Sequence, residues 1–425
     1  MDLQGKKLLV LGGTKISGEI VSKAKSLGLY VIVADHDENS PAKKIADKTS
    51  MVSATDVDAV VRLIRQEKVD GVLTGFIELL LPYYQQICEK ANLPCYATAE
   101  HIELGTNKMK FKELCRDFDV PVVEEFDVSS EILNGNFENI PYPVLLKPSD
   151  NTAGRGIRIC NNSREFAQFY PESLDFSPGK QVIVEKYTPW EEVTIFYAAQ
   201  DGKVFLTGMA DRYVQNRQNE SIPLPVAYIF PSAYLDDYLK TLDQKVVKMF
   251  ESIGVENGMI FIQSFVKEEK FVFYEMGFRL TGTLEYHILS KTNNINILEH
   301  LIHFSVTGRM DEKALYRKIS PESEKAGANI TFLVKPGTIG AIEGVDEIMN
   351  LPEVTASFIS HNEGDIIPDE HVGTLLQVVA RFLLVVESKS QLIEVMDTIH
   401  RIFKVTSTDG QNMLLKPLNT EILKK

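Results

Sequence analysis

The segment Val144-Leu145-Leu146-Lys147-Pro148-Ser149-Asp150-Asn151-Thr152-Ala153-Gly154-Arg155-Gly156-Ile157 decides how the rest of the chain is read. A short apolar run ends in Lys147 and Pro148, then passes into polar residues and two glycines spaced one apart. Glycines let backbone N–H groups turn toward an anion without obstruction from Cβ, and the lysine supplies the matching positive charge. In a Walker loop the lysine follows the glycines and opens a helix. Here Lys147 precedes Gly154 and Gly156, and Ile157 to Cys160 continues with strand-like alternation. The expectation is a phosphate loop joining two strands.

Outward from this loop, the N-terminal part alternates strands with helices. Strands are expected at Lys6 to Leu11, Tyr30 to Ala34 and Val69 to Thr74, with helices at Gly18 to Leu27, Asp56 to Gln66 and Leu79 to Ala91. That order implies a parallel, Rossmann-like sheet over residues 1–95. The turn Gly12-Gly13-Thr14-Lys15-Ile16-Ser17-Gly18, with Asp35 further on, invites a dinucleotide reading. No register of it gives GxGxxG, so an ordinary glycine-rich first turn is preferred; an NAD-dependent oxidoreductase built on this sheet stays as a further alternative, one that leaves the Lys147 loop unexplained.

Thr98 to Phe118 reads as one helix containing Lys108, and residues 127 to 142 as a connecting loop. Past the phosphate loop, a helix is expected near Ser163 to Phe169 and strands at Gln181 to Lys186, Val193 to Ala199 and Val204 to Asp211. Ser221 to Pro231 reads as proline-punctuated loop and Ala233 to Ile253 as a long helix. Met259 to Val266 and Phe271 to Met276 form a hairpin. If its loop comprises residues 268 to 270, Gln263 lies directly opposite Glu275, with Cβ atoms ~5 Å apart; a two-residue loop would break that pairing. Strands near Ile330 to Val334, Val354 to Ser360 and Thr374 to Glu387, with helices near Val345 to Asn350 and Ser390 to Ile402, suggest a small α+β domain over residues 328–425.

The chain has 425 residues and is 44% hydrophobic, enough for two or three cores. A formal net charge of −14 disfavours nucleic acid or an anionic membrane as partner. Cys88, Cys95, Cys115 and Cys160 show neither CxxC spacing nor histidine clustering, so a disulfide framework and a zinc site are both disfavoured. No secretory pattern is read at the start and no apolar stretch is long enough to span a bilayer, so a cytoplasmic location is expected.

Glu275 stands on a strand whose neighbours are apolar on both faces, and a buried carboxylate needs a partner. Two readings stay open: a salt bridge, with Arg279 the nearest cation in sequence, or a divalent cation shared with the Gln263 carbonyl oxygen, where oxygen ligands suit magnesium. Glu185-Lys186-Tyr187 ends one strand and Glu192 begins the next; taken alone, such acids are read as a solvated strand end.

Lys108, the Lys147 to Gly156 loop, Glu185, Glu192, Gln263, Glu275 and Arg279 together stand in an order that resembles the ATP-grasp superfamily of ligases. The N-terminal segment, with Ala34-Asp35, Ser40-Pro41-Ala42 and Ala46-Asp47, resembles the domain preceding the grasp fold in carbamoyl-phosphate-synthetase-like and purine-pathway members. Pro336-Gly337-Thr338-Ile339 and Gly364-Asp365-Ile366-Ile367-Pro368 are similar to the closing domain of L-amino acid ligases. The fold class so implied is multidomain α/β and α+β: a pre-ATP-grasp domain, an ATP-grasp domain of two α+β subdomains over residues 96–327, and the small C-terminal domain.

The resemblance implies ATP and magnesium as cofactors, with manganese as a substitute. Lys108 and Lys147 would meet the phosphates, and a flap including Ala153, Gly154 and Gly156 would close over them. Glu185, Lys186 and Tyr187 would hold adenine, largely through backbone groups, with Glu192 on the ribose. Gln263 and Glu275 would hold the metal, and Arg279 would stabilise charge on the transferring phosphoryl group. The implied reaction joins a small carboxylate to an amine through an acyl phosphate with release of ADP, in an enzyme that a homodimer would suit. The alternatives are a bicarbonate-activating carboxylase-like enzyme and an ATP-binding regulator without turnover. One departure motivates the last: Glu275-Met276-Gly277-Phe278-Arg279 carries glycine where the family has asparagine, so a second metal is held by phosphates and water, binds weakly, or is lost together with part of the catalysis.

Overall fold

Apolar strands separated by amphipathic helices place β1 (Lys7–Leu11), β2 (Tyr30–Ala34), β3 (Lys48–Ser50) and β4 (Gly71–Leu73) in a parallel sheet of order β3-β2-β1-β4. The computed structural model describes residues 3–149, 156–215, 224–310, 314–317 and 319–424. Helices Ser17–Ser26 and Val57–Glu67 supply crossovers, and helix Leu81–Ala91 follows β4. At the first turn, Asp35 accepts hydrogen bonds from the backbone of Gly13 at 2.6 Å and of Asp37 at 2.9 Å. Its carboxylate thus ties two loops together, in keeping with the structural reading of that turn.

The single helix expected from Thr98 to Phe118 is two helices, Ala99–Thr106 and Lys108–Asp117. Asn107 between them is extended, and its side chain accepts from the N–H groups of Met109 at 3.1 Å and Lys110 at 3.2 Å. An asparagine that caps a new helix competes with continuation of the old one. The expected loop 127–142 likewise holds a short helix, Ser129–Asn134.

A small antiparallel sheet follows, of order β6-β5-β7, from β5 (Val144–Pro148), β6 (Arg158–Cys160) and β7 (Val182–Lys186), backed by helix Ser163–Asp175 through Phe166 and Phe169. Lys147 lies on β5, and the chain returns on β6, so the loop joins two strands as expected. Ala153 and Gly154 lie outside the described residues.

Next come β8 (Glu191–Gln200), β9 (Lys203–Val214), β10 (Pro225–Phe230), β11 (Gly258–Lys267) and β12 (Lys270–Gly277). The expected loop Ser221 to Pro231 is corrected by β10: Pro225 opens the strand beside a bulge and Pro231 follows its end, so the prolines flank the ladder rather than interrupt it. The long helix expected from Ala233 to Ile253 is divided at Leu242 into Leu235–Thr241 and Asp243–Ser252.

The C-terminal part contributes β13 (Ala326–Leu333), β14 (Gly337–Glu343), β15 (Val354–Ile359), β16 (Ile366–Ile367), β17 (Val378–Val386) and β18 (Lys404–Ser407). Three of these continue the central sheet, an eight-stranded antiparallel array of order β12-β11-β8-β9-β10-β13-β17-β15. Strands β16, β14 and β18 form a separate small sheet. Hydrogen bonding therefore runs without a break past residue 328. At the other end, helix Ile297–Thr307 packs on β4 so closely that a Cβ on Gly71 would overlap the Ser305 carbonyl.

Candidate active site

Two hairpins set the site, and each carries an extra residue. Lys267 pairs with Lys270 across a two-residue turn in which Glu268 and Glu269 have φ of 49° and 63°. The three-residue loop expected from sequence is therefore wrong, and plain counting would set Gln263 against Tyr274. A bulge intervenes between Ser264↔Phe273 and Gln263↔Glu275, leaving Tyr274 as the extra residue. Gln263 and Glu275 consequently face each other as expected, for a different reason. In the β8–β9 hairpin the shift lies between Phe196 and Tyr197, and it brings Arg212 rather than Asp211 opposite Glu192.

Tyr274 joins the two sheets. Its carbonyl accepts a hydrogen bond from Lys147 Nζ at 3.3 Å, the same ammonium lies 5.4 Å from its ring centre, and its hydroxyl donates to Glu192 at 2.9 Å. Glu192 also pairs with Arg212, whose Nε donates to the Tyr228 hydroxyl at 3.3 Å. Glu192 is thus a half-buried ion-pair member, not the solvated strand end that its position alone suggests.

Behind Lys147 stands a buried charge cluster. Lys112 is fully buried and donates to Glu185 at 2.6 Å and to Glu125 at 2.9 Å, while Lys147 Nζ lies 4.0 Å from the same Glu185 carboxylate. Burial alone would raise the Glu185 carboxyl; Lys147, Lys112 and Lys108 outweigh it and hold the group below the usual range. Burial pulls the Lys147 ammonium below its usual value against the attraction of Glu185 and Glu275. Sequence reading missed Lys112. Its signal was available, because Lys112 follows Lys108 by four residues and so shares a helix face with it.

Burial would also raise Glu275, but Lys108, Lys147, Arg279 and Arg212 hold it ionised below the ordinary carboxylate range. Arg279 is engaged: its guanidinium donates to Glu78 at 2.7 and 3.2 Å, bonds the Leu280 carbonyl at 2.9 Å and lies 5.1 Å from the Phe261 ring centre. Glu78 belongs to the N-terminal part and was not singled out from sequence. Gly277 is directly opposite Phe261, and a Cβ there would lie 2.5 Å from Phe261 Cζ. The phenyl ring occupies the space a larger residue at 277 would need.

The segment Glu185 to Tyr187, expected to hold adenine, has part of its backbone bonded within the fold. The N–H of Lys186 donates to the Glu124 carbonyl at 2.9 Å and that of Tyr187 to Pro143 at 3.2 Å. The Lys186 carbonyl accepts the Thr188 hydroxyl at 3.1 Å and retains a second lone pair. Gly156, at φ 75°, is fixed just before β6: its carbonyl accepts from Ser173 at 2.7 Å, and a Cβ would meet Phe176 at 2.5 Å.

The donor set fits a magnesium ion held with nucleotide phosphates. Gln263 and Glu275 present two oxygen-bearing side chains from directly opposed positions, and Mg²⁺ characteristically takes one or two carboxylates with phosphate and water completing six. Thr194, directly opposite Gln263 on β8, has a buried hydroxyl with no hydrogen-bond partner among the described residues. No group of three or more histidines, cysteines, aspartates or glutamates suited to a metal occurs among the described residues.

A small sheet carrying Lys147 set against a larger sheet carrying Gln263 and Glu275 resembles the arrangement of the ATP-grasp ligases. Residues 107–312 match the family described as carbamoyl-phosphate synthase L chain, ATP binding domain. Among curated proteins, the chain is 24% identical over 277 residues to a formate-dependent phosphoribosylglycinamide formyltransferase of Sulfurisphaera tokodaii, covering 64% of this chain and 69% of that protein. It is 25% identical to the 2-oxoglutarate carboxylase small subunit of Hydrogenobacter thermophilus, covering 72% and 67%. Among solved structures, an L-amino acid ligase from Bacillus licheniformis superposes with a TM-score of 0.75 at 18% identity, covering 95% of this chain and 99% of that one. The biotin carboxylase domain of the Hydrogenobacter enzyme, described as a dimer with MgADP and bicarbonate, gives 0.77 at 19% identity, covering 99% and 94%.

Proposed function

We propose that the protein is an ATP-dependent carboxylate–amine ligase acting on an amino acid or similar small carboxylate. The carrying observation is that Glu275 directly opposes Gln263 while the preceding residue, Tyr274, holds the Lys147 ammonium on its carbonyl at 3.3 Å. A lysine beside an acid and an opposed amide oxygen suits a bound polyphosphate with its metal.

In this reading Lys147 and Lys108 orient the phosphates, and Glu275 and Gln263 hold the metal, which when bound neutralises charge between the phosphates; manganese would substitute for magnesium. The substrate carboxylate attacks the γ-phosphorus, ADP leaves, and the acyl phosphate so formed loses phosphate to an attacking amine. A free carboxylate is a poor acyl donor, so phosphorylation supplies a leaving group. Arg279 stabilises negative charge on the phosphoryl group in flight, exchanging part of its Glu78 contact for it.

A cytoplasmic homodimer completes the proposal. No helix among the described residues is long and apolar enough to cross a membrane, and the Hydrogenobacter domain that resembles this chain is described as a dimer. The bicarbonate-activating reading stands second, motivated by the two carboxylase likenesses.

The test is an ADP-release assay with ATP and magnesium over a panel of carboxylates and amines. The ligase reading expects ADP release that requires both. Bicarbonate replacing the carboxylate panel would favour the second reading, AMP as product would contradict acyl-phosphate chemistry, and tight ATP binding without turnover would leave a regulator.

A further inference from the structure

Arg381 takes no part in the contacts described above. It lies on β17 directly opposite Thr331 of β13 and is 7% exposed, and its Nε has no hydrogen-bond partner among the described residues. Glu285 lies six residues after Arg279 and is 1% exposed. Its Oε2 accepts from the hydroxyls of Thr281 and Thr283, whereas Oε1 has no partner. No ion pair joins Arg381 to Glu285 among the described residues, although their charges interact.

Glu285 is the N-cap residue of helix Tyr286–Thr292, which packs against β17, and a guanidinium and a carboxylate each buried with an unfilled hydrogen-bonding position are costly to the folded protein. Burial lowers the Arg381 guanidinium against the pull of Tyr228 and Glu285, and raises the Glu285 carboxyl against the bonds from Thr281 and Thr283. Buried polar atoms left in this state call for an absent partner. What would satisfy both is a molecule carrying an anion at one end and a cation at the other, since a guanidinium forks onto a carboxylate and a carboxylate accepts from an ammonium.

The pair also lies beside the nucleotide side of the clamp. Tyr228 directly opposes Arg212 on one flank and Asn329 on the other. Asn329 donates to the Thr283 carbonyl, fastening the segment that bears Glu285 to the sheet.

We propose that Arg381 and Glu285 form the subsite for the amine substrate, which is a zwitterionic α-amino acid: its carboxylate pairs with Arg381 and its ammonium with Glu285. This rests on the ligase reading above and specifies the second substrate.

The test is calorimetric titration of the full-length protein, saturated with MgADP, with the common L-α-amino acids, their decarboxylated amines and their amides. At least one amino acid is expected to bind, with its amine and amide counterparts about tenfold weaker or worse. Arg381→Met and Glu285→Gln should each weaken it by a similar factor while MgADP affinity and the circular-dichroism spectrum hold, and Arg381→Lys should restore part of it. Equal binding of amine and amino acid, undiminished binding by Arg381→Met, or no amino acid binding while MgADP binds would each overturn the subsite. If a variant does not fold, the comparison of amino acid with amine and amide on the parent decides. Failure of the parent to bind MgADP would instead overturn the ligase reading itself.

Discussion

Arg279 is the residue whose role depends most on what it now touches. Its guanidinium spans Glu78 of the N-terminal part, the Leu280 carbonyl and the Phe261 ring, so it is held in place before any substrate arrives. Replacement by alanine is expected to lower turnover by on the order of a hundredfold or more while ATP binding survives, because the charge it serves develops during reaction; unchanged kcat would remove it from catalysis. Two residues earlier, Gly277 tolerates no side chain against Phe261. Gly277→Ala should destabilise the fold by about 1–3 kcal/mol through overpacking. Urea unfolding of the single variant and of its combination with Phe261→Ala measures this; a penalty that Phe261→Ala does not reduce would place the strain elsewhere.

At the scale of elements, the bulge at Tyr274 matters more than either strand. It sets Glu275 on the face of Gln263 and offers a carbonyl to Lys147. Deleting Tyr274 would restore an unbroken ladder with Glu275 still opposite Gln263, and would remove both the carbonyl that accepts from Lys147 and the hydroxyl that donates to Glu192. The expected result is a folded protein that keeps the parent's magnesium dependence but has a higher KM for ATP, because Lys147 has lost an anchor; an unchanged KM would show that the bulge is not needed.

The same elements show what could be read in the chain. Alternating strands and helices, the lysine before the glycines and the acid on an apolar strand all leave periodic or compositional traces. A bulge leaves none, since it depends on how two strands pair, and so Gln263 opposite Glu275 was expected from a loop length that the hairpin does not have. Arg212 was missed for the same reason: counting from the Asp201-Gly202 turn sets Asp211 opposite Glu192. The break at Asn107 was recoverable from its capping side chain, whereas Arg381 and Glu285 come together only through tertiary packing.

Over the whole molecule, the N-terminal part is bonded to the centre by more than apolar contact. Glu19 on helix Ser17–Ser26 accepts from Tyr286 and from His287 Nε2 at 2.9 Å, on helix Tyr286–Thr292. Burial would raise its carboxyl, but the hydrogen bonds from His287 and Tyr286 bring it below its ordinary value of 4.5. The stabilisation is therefore complete above that value and is lost as pH falls through the lower, folded one. The difference in urea midpoint between parent and Glu19→Gln should be larger at pH 6 than at pH 4, and an equal difference at both would dissociate Glu19 from the linkage.

The uninterrupted central sheet also governs how this protein could be divided. Residue 328 looks like a seam in sequence, yet β13 pairs with β10 across four successive positions, from Ala227↔Ile330 to Phe230↔Gly327. A fragment ending before β13 would leave the main-chain donors and acceptors along β10 facing solvent beside a fully buried-type apolar strand. Such a rim recruits other chains. Shuffling this C-terminal segment among relatives, or expressing the front portion by itself, would invite self-association even where the nucleotide clamp remained correctly built.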